Sequence, residues 1–110
     1  MTNGRFTRKQ RLTKRSDFDA MYASAQKTTV GPFLIHLRKN SLCYSRLGLS
    51  VPKRVGNAVK RNAIKRRCRE AFKSMRFDPE NHLDLVITVR PHDLQSTAQY
   101  STFILNGISA

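Results

Sequence analysis

Acidic residues are scarce in this 110-residue sequence. Seven Asp or Glu stand against 21 Lys or Arg, which gives a formal net charge of +14 and a pI near 11. This imbalance points to a polyanionic partner, such as RNA, DNA or an acidic membrane surface. Because 39% of the residues are hydrophobic, the chain has enough apolar content for a modest core. We therefore expect a single folded domain over residues 1–110 rather than a disordered basic tail.

Long apolar runs are absent as well. No run approaches the roughly 20 residues of a membrane span, and the basic N-terminus is not followed by the apolar core of a signal peptide. We therefore expect a cytoplasmic protein with no membrane partner. Nothing in the sequence predicts a protein partner.

The sequence also lacks a recognisable catalytic or metal-binding pattern. Cys43 and Cys68 have no metal-ligand spacing with another Cys or His, so we interpret both as reduced thiols, with Cys68 in the core. His36, His82 and His92 share no motif, and the acids are scattered. We expect His82 and His92 to be solvated. The pattern therefore predicts no catalytic residues and no metal ligands, and a stand-alone nuclease is the least favoured function.

The most distinctive stretch is basic and helical. Residues 53–76 hold ten Lys or Arg and a single acid, Glu70. Residues 58–75 contain no Gly or Pro, which favours one helix. Asn57 is suited to cap its start, and Asp78-Pro79 is suited to stop it.

On a helix, this stretch separates into two stripes. The apolar stripe is formed by Ile64, Cys68, Ala71, Phe72 and Met75. The adjoining basic stripe is formed by Arg61, Lys65 and Arg69, with Asn62, Arg66, Lys73 and Arg76 beside it. A solvated charged face normally mixes both signs, so a row of cations on a rigid element favours contact with RNA phosphates.

The N-terminal quarter predicts an arm and a helix. Residues 1–15 carry six bases and no acid, so we expect a mobile or loosely attached arm. Ser16 is suited to cap a first helix, whose apolar spacing is set by Phe18, Met21, Tyr22 and Ala25.

The remaining segments predict strands and a final helix. Residues 27–30, 33–38, 46–51 and 83–89 are apolar or alternating, and a hairpin is the natural connection between the second and third of these strands. Ser96 or Thr97 can cap a last helix that runs to about Asn106, with Gly107 at its C-terminal end. The order predicts an α/β or α+β fold with a small mixed sheet covered by helices, in which residues 49–85 form a crossover unit.

The basic stretch resembles the signature of the protein subunit of bacterial ribonuclease P. The family block Arg-Asn-x-x-Lys-Arg-x-x-Arg is present from Arg61 to Arg69, and Gly56-Asn57-Ala58-Val59 precedes it. Arg11-Leu12 followed by Ser16-Asp17-Phe18 resembles the family's N-terminal block. The resemblance runs along essentially the whole chain.

This resemblance implies a fold and a division of labour. The implied fold is an α/β sandwich related to a domain of a small-subunit ribosomal protein, with about four strands and three helices in the order αβββαβα and a left-handed βαβ crossover. In the family, a catalytic RNA subunit holds Mg²⁺ and cleaves precursor tRNA to release the 5′ leader. The protein binds that RNA through the basic helix and holds the leader in a cleft between the sheet and the first helix.

The resemblance also assigns residues to each role. The RNA-subunit-binding residues are Lys53, Arg54, Asn57, Lys60, Arg61, Asn62, Lys65, Arg66 and Arg69. The leader-binding residues are Arg11, Phe18, Tyr22, Phe33 and His36. His36 departs from the aromatic Tyr of several relatives, and it offers less surface for stacking on a base. For Phe33, ordinary core packing is an equally good interpretation. The alternative function is a ribosome- or rRNA-associated basic RNA-binding protein.

Overall fold

The computed structural model describes residues 8–109, which form a four-stranded mixed sheet and three α-helices. The helices are α1 (Arg15–Ser24), α2 (Ala58–Lys73) and α3 (Thr97–Ser109). The strands are β1 (Gln26–Val30), β2 (Phe33–Lys39), β3 (Arg46–Ser50) and β4 (Leu83–Val89). The α+β class and the order αβββαβα are confirmed, with short 3₁₀ turns at Arg8–Gln10 and Lys53–Val55 in addition. None of the helices in this part of the chain has the length and apolar content to cross a bilayer.

The order of strands across the sheet is β1-β2-β4-β3. The first two strands form a hairpin whose turn contains Gly31 at φ +55°, a conformation that favours glycine. The prediction that a hairpin pairs β2 with β3 is wrong, because β4 lies between them, antiparallel to β2 and parallel to β3. The crossover from β3 through α2 to β4 is confirmed, and its left-handedness stays a prediction.

Burial explains why β4 takes an inner position in the sheet. Its residues Leu85, Val86, Ile87 and Val89 are fully buried, so the strand needs cover on both faces. On one face, α2 and α3 pack over a core that includes Leu85, Ile87 and Val89. On the other face, α1 and the N-terminal segment pack over Val86. The result is a sheet between two helical layers of unequal size.

The start of α2 is as predicted, and its end is not. Asn57 Oδ1 accepts a hydrogen bond from the backbone N–H of Lys60 at 2.9 Å, so Asn57 is the N-cap. The helix ends at Lys73 instead of continuing to the Asp78-Pro79 stop. The predicted apolar stripe is confirmed, because Ile64, Cys68, Ala71 and Phe72 are all buried and Met75 packs against them.

Two other helix-end predictions are wrong. Helix α1 is preceded by Lys14, without a side-chain cap, and Ser16 lies inside its first turn. Gly107 lies within α3, where a β-carbon would come within 2.5 Å of Ile35 Cδ1, so this glycine permits close packing of α3 on β2. The prediction of a Ser96 cap agrees with the structure, since Ser96 Oγ accepts a hydrogen bond from the N–H of Gln99 at 3.1 Å.

The predicted N-terminal arm is anchored in the part that the structure describes. Leu12 is buried, and its N–H donates to the carbonyl of Leu47 at 2.9 Å. Arg11 also forms a parallel bridge with Leu47, so this segment extends the sheet beside β3. Loose attachment is therefore wrong for residues 8–12. Residues 1–7 lie outside the described residues.

Candidate nucleic-acid interface

The basic stripe of α2 lies between the buried side of the helix and solvent. Arg61, Lys65 and Arg69 are half-buried, whereas Asn62 and Arg66 are exposed. Within residues 8–109, none of these four cations forms a salt bridge with an acid. The one acid of the helix, Glu70, pairs with Lys73, with a shortest N–O distance of 3.3 Å. The positive charge of the stripe is therefore available to an external anion.

The residues before α2 extend this charged region. We call the whole set the basic helix surface, and it consists of Lys53, Arg54, Asn57, Lys60, Arg61, Asn62, Lys65, Arg66 and Arg69. Lys53 and Arg54 are exposed in the 3₁₀ turn that leads into the helix. Arg61 Nε donates to the carbonyl of Gly56 at 3.0 Å, which fixes its side chain against the helix start and uses only one of its five donors.

Arg67 shows that not every arginine of α2 belongs to this surface. Its guanidinium donates to the carbonyl of Gln95 at 2.6 Å, on the side of α2 that faces the loop before α3. The residue ties two elements together, and the sequence pattern gave no sign of this contact. Arg69 of the basic stripe instead faces β3 and the N-terminal segment, where it lines a groove with Arg11 and Leu47.

Three of the predicted leader-binding residues come together on the face of the sheet that α1 covers. We call Phe18, Tyr22 and His36 the α1 face. The rings of Tyr22 and His36 make an edge-to-face contact with centroids 4.9 Å apart, and Phe18 lies 6.2 Å from Tyr22. Tyr22 is 45% exposed, so its ring is available for stacking on a base.

His36 itself is mostly covered. It is only 6% exposed, and its Nδ1 has no hydrogen-bond partner among the described residues. Burial, and secondarily the charge of Lys27 on the neighbouring strand, lower the pKa of His36 below its ordinary value. In this structure the imidazole therefore supports the Tyr22 ring, and it does not present a stacking surface of its own.

Phe33 does not belong to the α1 face, and its burial favours ordinary core packing over leader binding. The residue is fully buried on the opposite side of the sheet. Its ring stacks on Tyr100, with centroids 5.2 Å apart, and meets Phe103 edge-to-face. The physical reason is strand alternation, since Phe33 and His36 are three residues apart and point to opposite faces.

Arg11 lies between the basic helix surface and the α1 face. A groove of about 190 Å³ runs beside β3 and is lined by Arg11, Leu12, Thr13, Phe18, Leu47 and Arg69, among others. The family resemblance assigns Arg11 to the leader and Arg69 to the RNA subunit. No local signal indicated their proximity, because it depends on the N-terminal segment pairing with β3.

A buried ion pair was also missed. Asp84 is fully buried on β4, and Arg46 makes two hydrogen bonds to its carboxylate, at 2.9 and 2.7 Å. Burial alone would raise the pKa of Asp84, but hydrogen bonds from Arg46 and Asn40 and the charges of Arg46 and Arg38 hold it below its ordinary value. The sequence signal for this ion pair was the single acid, Asp84, inside the otherwise uncharged run LDLVITV.

The two cysteines and the histidines His82 and His92 are the remaining candidate chemical groups. Cys43 and Cys68 are free thiols, and burial raises the pKa of Cys68 to about 12. The prediction of solvated histidines is wrong: His82 Nδ1 lies 3.0 Å from Ser45 Oγ, and His92 Nε2 lies 2.7 Å from the Tyr100 hydroxyl. Across residues 8–109, no group of three or more His, Cys, Asp or Glu is placed to hold a metal ion.

The fold and the unpaired row of cations define a small basic α+β protein of the nucleic-acid-binding class. Comparison with known proteins identifies the family. The family model for ribonuclease P matches residues 6–105. The ribonuclease P protein component of Legionella pneumophila strain Corby is 40% identical over 87 residues, covering 78% of this chain and 74% of that protein. The component of Streptococcus thermophilus strain LMD-9 is 36% identical over 96 residues, covering 86% of each. This chain belongs to the ribonuclease P protein family.

Solved structures agree with this assignment. The ribonuclease P protein of Staphylococcus aureus superposes with a TM-score of 0.75 at 30% identity, covering 91% of this chain and 93% of the other. The Thermotoga maritima protein superposes with a TM-score of 0.73 at 28% identity, covering 87% and 92% respectively. The similarity therefore extends over most of the chain, well beyond the basic block.

Proposed function

We propose that this chain is the protein component of a cytoplasmic ribonuclease P holoenzyme that removes the 5′ leader of precursor tRNA. The basic helix surface binds the RNA subunit, and the α1 face with Arg11 binds the leader. The RNA subunit carries out the cleavage and holds the Mg²⁺ ions that the reaction needs. Family membership supports the assignment to ribonuclease P.

One observation carries the assignment of the RNA-subunit surface. Arg61, Lys65 and Arg69 stand on one side of a capped helix without acidic partners in residues 8–109. Each cation that meets a phosphate releases a condensed counterion, so a row of them gives strong binding that weakens as salt rises. Such contacts orient the protein on RNA without reading its sequence.

The α1 face suits a different kind of RNA. The exposed ring of Tyr22, which His36 contacts edge-to-face, offers a surface on which a base can stack. Stacking on an aromatic ring contributes about 1–3 kcal/mol per base and tolerates any sequence. Leaders that differ from one precursor to the next require such tolerance.

Reconstitution tests the proposal directly. Purified protein is added to a bacterial ribonuclease P RNA at a low magnesium concentration, and the cleavage of precursor tRNA is measured. We expect the protein to accelerate cleavage, because its cations replace part of the counterion charge that RNA folding and substrate binding require. An unchanged rate, together with equal affinity for generic rRNA fragments, would favour an rRNA-associated protein instead. Cleavage without any RNA subunit would indicate a nuclease in the protein itself.

A single substitution separates the two surfaces. In Tyr22→Ala we expect normal binding of the RNA subunit, and a loss of about 1–3 kcal/mol in binding of precursor relative to mature tRNA by the holoenzyme. The matched control is Tyr44→Ala, which removes an aromatic ring from outside the α1 face. If Tyr22→Ala instead weakened assembly with the RNA subunit and left the precursor preference intact, the assignment of the surfaces would be reversed.

A further inference from the structure

The groove beside β3 lies where the basic helix surface meets the N-terminal segment and Phe18. Its volume of about 190 Å³ is below the roughly 300 Å³ at which pockets for drug-sized ligands begin, so it suits a small group. Arg11 and Arg69 line it from two different elements, and Leu47 and Leu49 supply an apolar wall. No Asp or Glu is among the residues that line it.

Two guanidinium groups in one groove repel each other. Burial, and next the charge of Arg11, lower the pKa of Arg69 below its ordinary value. Arg69 has no salt bridge in the described part of the chain. An anion placed between the two groups would turn this repulsion into two attractions, and the apolar wall would strengthen both.

The groove is held in place by close packing at Gly48. A β-carbon at this position would lie 3.0 Å from Leu12 Cβ and 3.0 Å from Phe18 Cζ, so a larger residue would push against both side chains where they pack on β3. The Leu12–Leu47 backbone hydrogen bond fixes the segment that carries Arg11. The two arginines therefore line the groove from backbone positions that packing and hydrogen bonding fix, which lowers the entropy lost on binding.

We infer that Arg11 and Arg69 together bind one phosphate of an RNA strand that crosses the edge of β3. The sugar of that nucleotide rests against the apolar wall and Phe18. The inference rests on the proposed function, and it adds a shared site to what were two separate surfaces. The phosphate belongs either to the RNA subunit or to the precursor leader, and the experiment separates these sources.

The salt dependence of RNA binding reports how many phosphates each variant neutralises. Binding is measured against salt concentration for the wild type, Arg11→Gln, Arg69→Gln and the double variant, with Lys39→Gln as a control that removes one exposed charge elsewhere. Each neutralised phosphate contributes roughly 0.7–0.9 to the slope of log affinity against log salt. If one phosphate is shared, both single variants and the double variant lose the same increment, with a loss of about tenfold in affinity. A double variant that loses twice the increment, or variants that lose no more than Lys39→Gln, would overturn the inference.

Two binding measurements identify which RNA supplies the phosphate. Binding of protein to the RNA subunit is one arm, and binding of precursor relative to mature tRNA by the assembled holoenzyme is the other. A shared loss of slope in the first arm places the phosphate in the RNA subunit, and in the second arm it places the phosphate in the leader. Either result supports the site, and a loss in neither arm contradicts it.

A probe without RNA keeps this test independent of the proposed function. Inorganic phosphate is titrated into the free protein while the Nε–H resonances of its arginines are followed by NMR. We expect the Arg11 and Arg69 resonances to shift together, and the Arg11 shift to be lost in Arg69→Gln. If both remain unmoved, the site is absent even when reconstitution succeeds. If they shift but the ribonuclease P RNA is not bound, the groove binds phosphate and the proposed function is wrong.

Discussion

Helices α2 and α3 pack side by side on the same face of the sheet, yet their outer surfaces have nothing in common. The 16 residues of α2 include seven Lys or Arg, whereas none of the 13 residues of α3 is charged. Both helices bury a continuous apolar stripe, which includes Ile64 in α2 and Ile104 in α3. Packing therefore explains the inner faces of both helices, and it does not explain the charge of α2. We attribute that charge to RNA.

The largest loss of stability is expected on the buried faces, where α2 and α3 are alike. Ile64→Ala and Ile104→Ala should each lower the free energy of unfolding by about 2–5 kcal/mol, because both side chains are fully buried and each change leaves a cavity. Urea unfolding followed by circular dichroism measures this loss. Val59→Ala, at a position that is 80% exposed, is the control and should change stability by less than about 0.5 kcal/mol. A large loss for one isoleucine alone would break the equivalence of the two inner faces.

A smaller effect is expected at the helix starts. Asn57 caps α2 and Ser96 caps α3, each with a hydrogen bond to a backbone N–H three residues on. Asn57→Ala and Ser96→Ala should each lower the free energy of unfolding by about 1 kcal/mol. Conservative variants, Asn57→Asp and Ser96→Thr, keep an acceptor and should recover most of the loss. A cap that matters for α2 and not for α3 would mean that the cationic helix needs extra support at its start.

The smallest effect is expected in the pH dependence of stability. It comes from His36, on the face of the sheet that α1 covers. Burial and Lys27 lower the pKa of His36 in the folded protein below its unfolded value near 6.5. The unfolded chain therefore takes up this proton first, and stability falls as the pH drops from above 6.5 through the folded pKa, below which the loss levels off. His36→Phe should reduce this loss as the pH falls through and below about 6.5, as measured by urea unfolding at each pH. An identical pH profile in the variant would mean that His36 is not the group responsible.

Much of the α2–α3 contrast could be predicted from the sequence. The spacing of Ile64, Cys68 and Phe72 and the cap at Asn57 are local signals, and the structure agrees with both. The apolar side of α3, formed by Tyr100, Phe103, Ile104 and Ile108, shows the same helical spacing. Such signals are strong because a helix satisfies its own backbone and presents its faces at a fixed period.

What the sequence did not reveal depends on contacts between distant segments. The hairpin expected between β2 and β3 was wrong because pairing is decided by which strand needs burial on both faces, and that strand is β4. Phe33 was assigned to the leader cleft by the family resemblance, although strand alternation places it on the face opposite His36. Gly107 looked like a helix end, although its use is the close approach of Ile35. The Arg11–Arg69 groove needs both the pairing of the N-terminal segment with β3 and the packing of α2.

The central claim is that the charge of α2, and not net charge alone, binds the RNA subunit. Two charge-matched variants test it: Arg61, Lys65 and Arg69 are changed to Gln in α2, and the exposed Thr102, Leu105 and Asn106 are changed to Glu in α3. Each variant lowers the net charge by three. The affinity for the ribonuclease P RNA is measured at several salt concentrations around 0.15 M, where screening confines charge effects to about 8 Å. We expect the α2 variant to lose at least about 100-fold in affinity and roughly 2–3 in salt slope, and the α3 variant to stay close to wild type. Equal losses in the two variants would contradict the account.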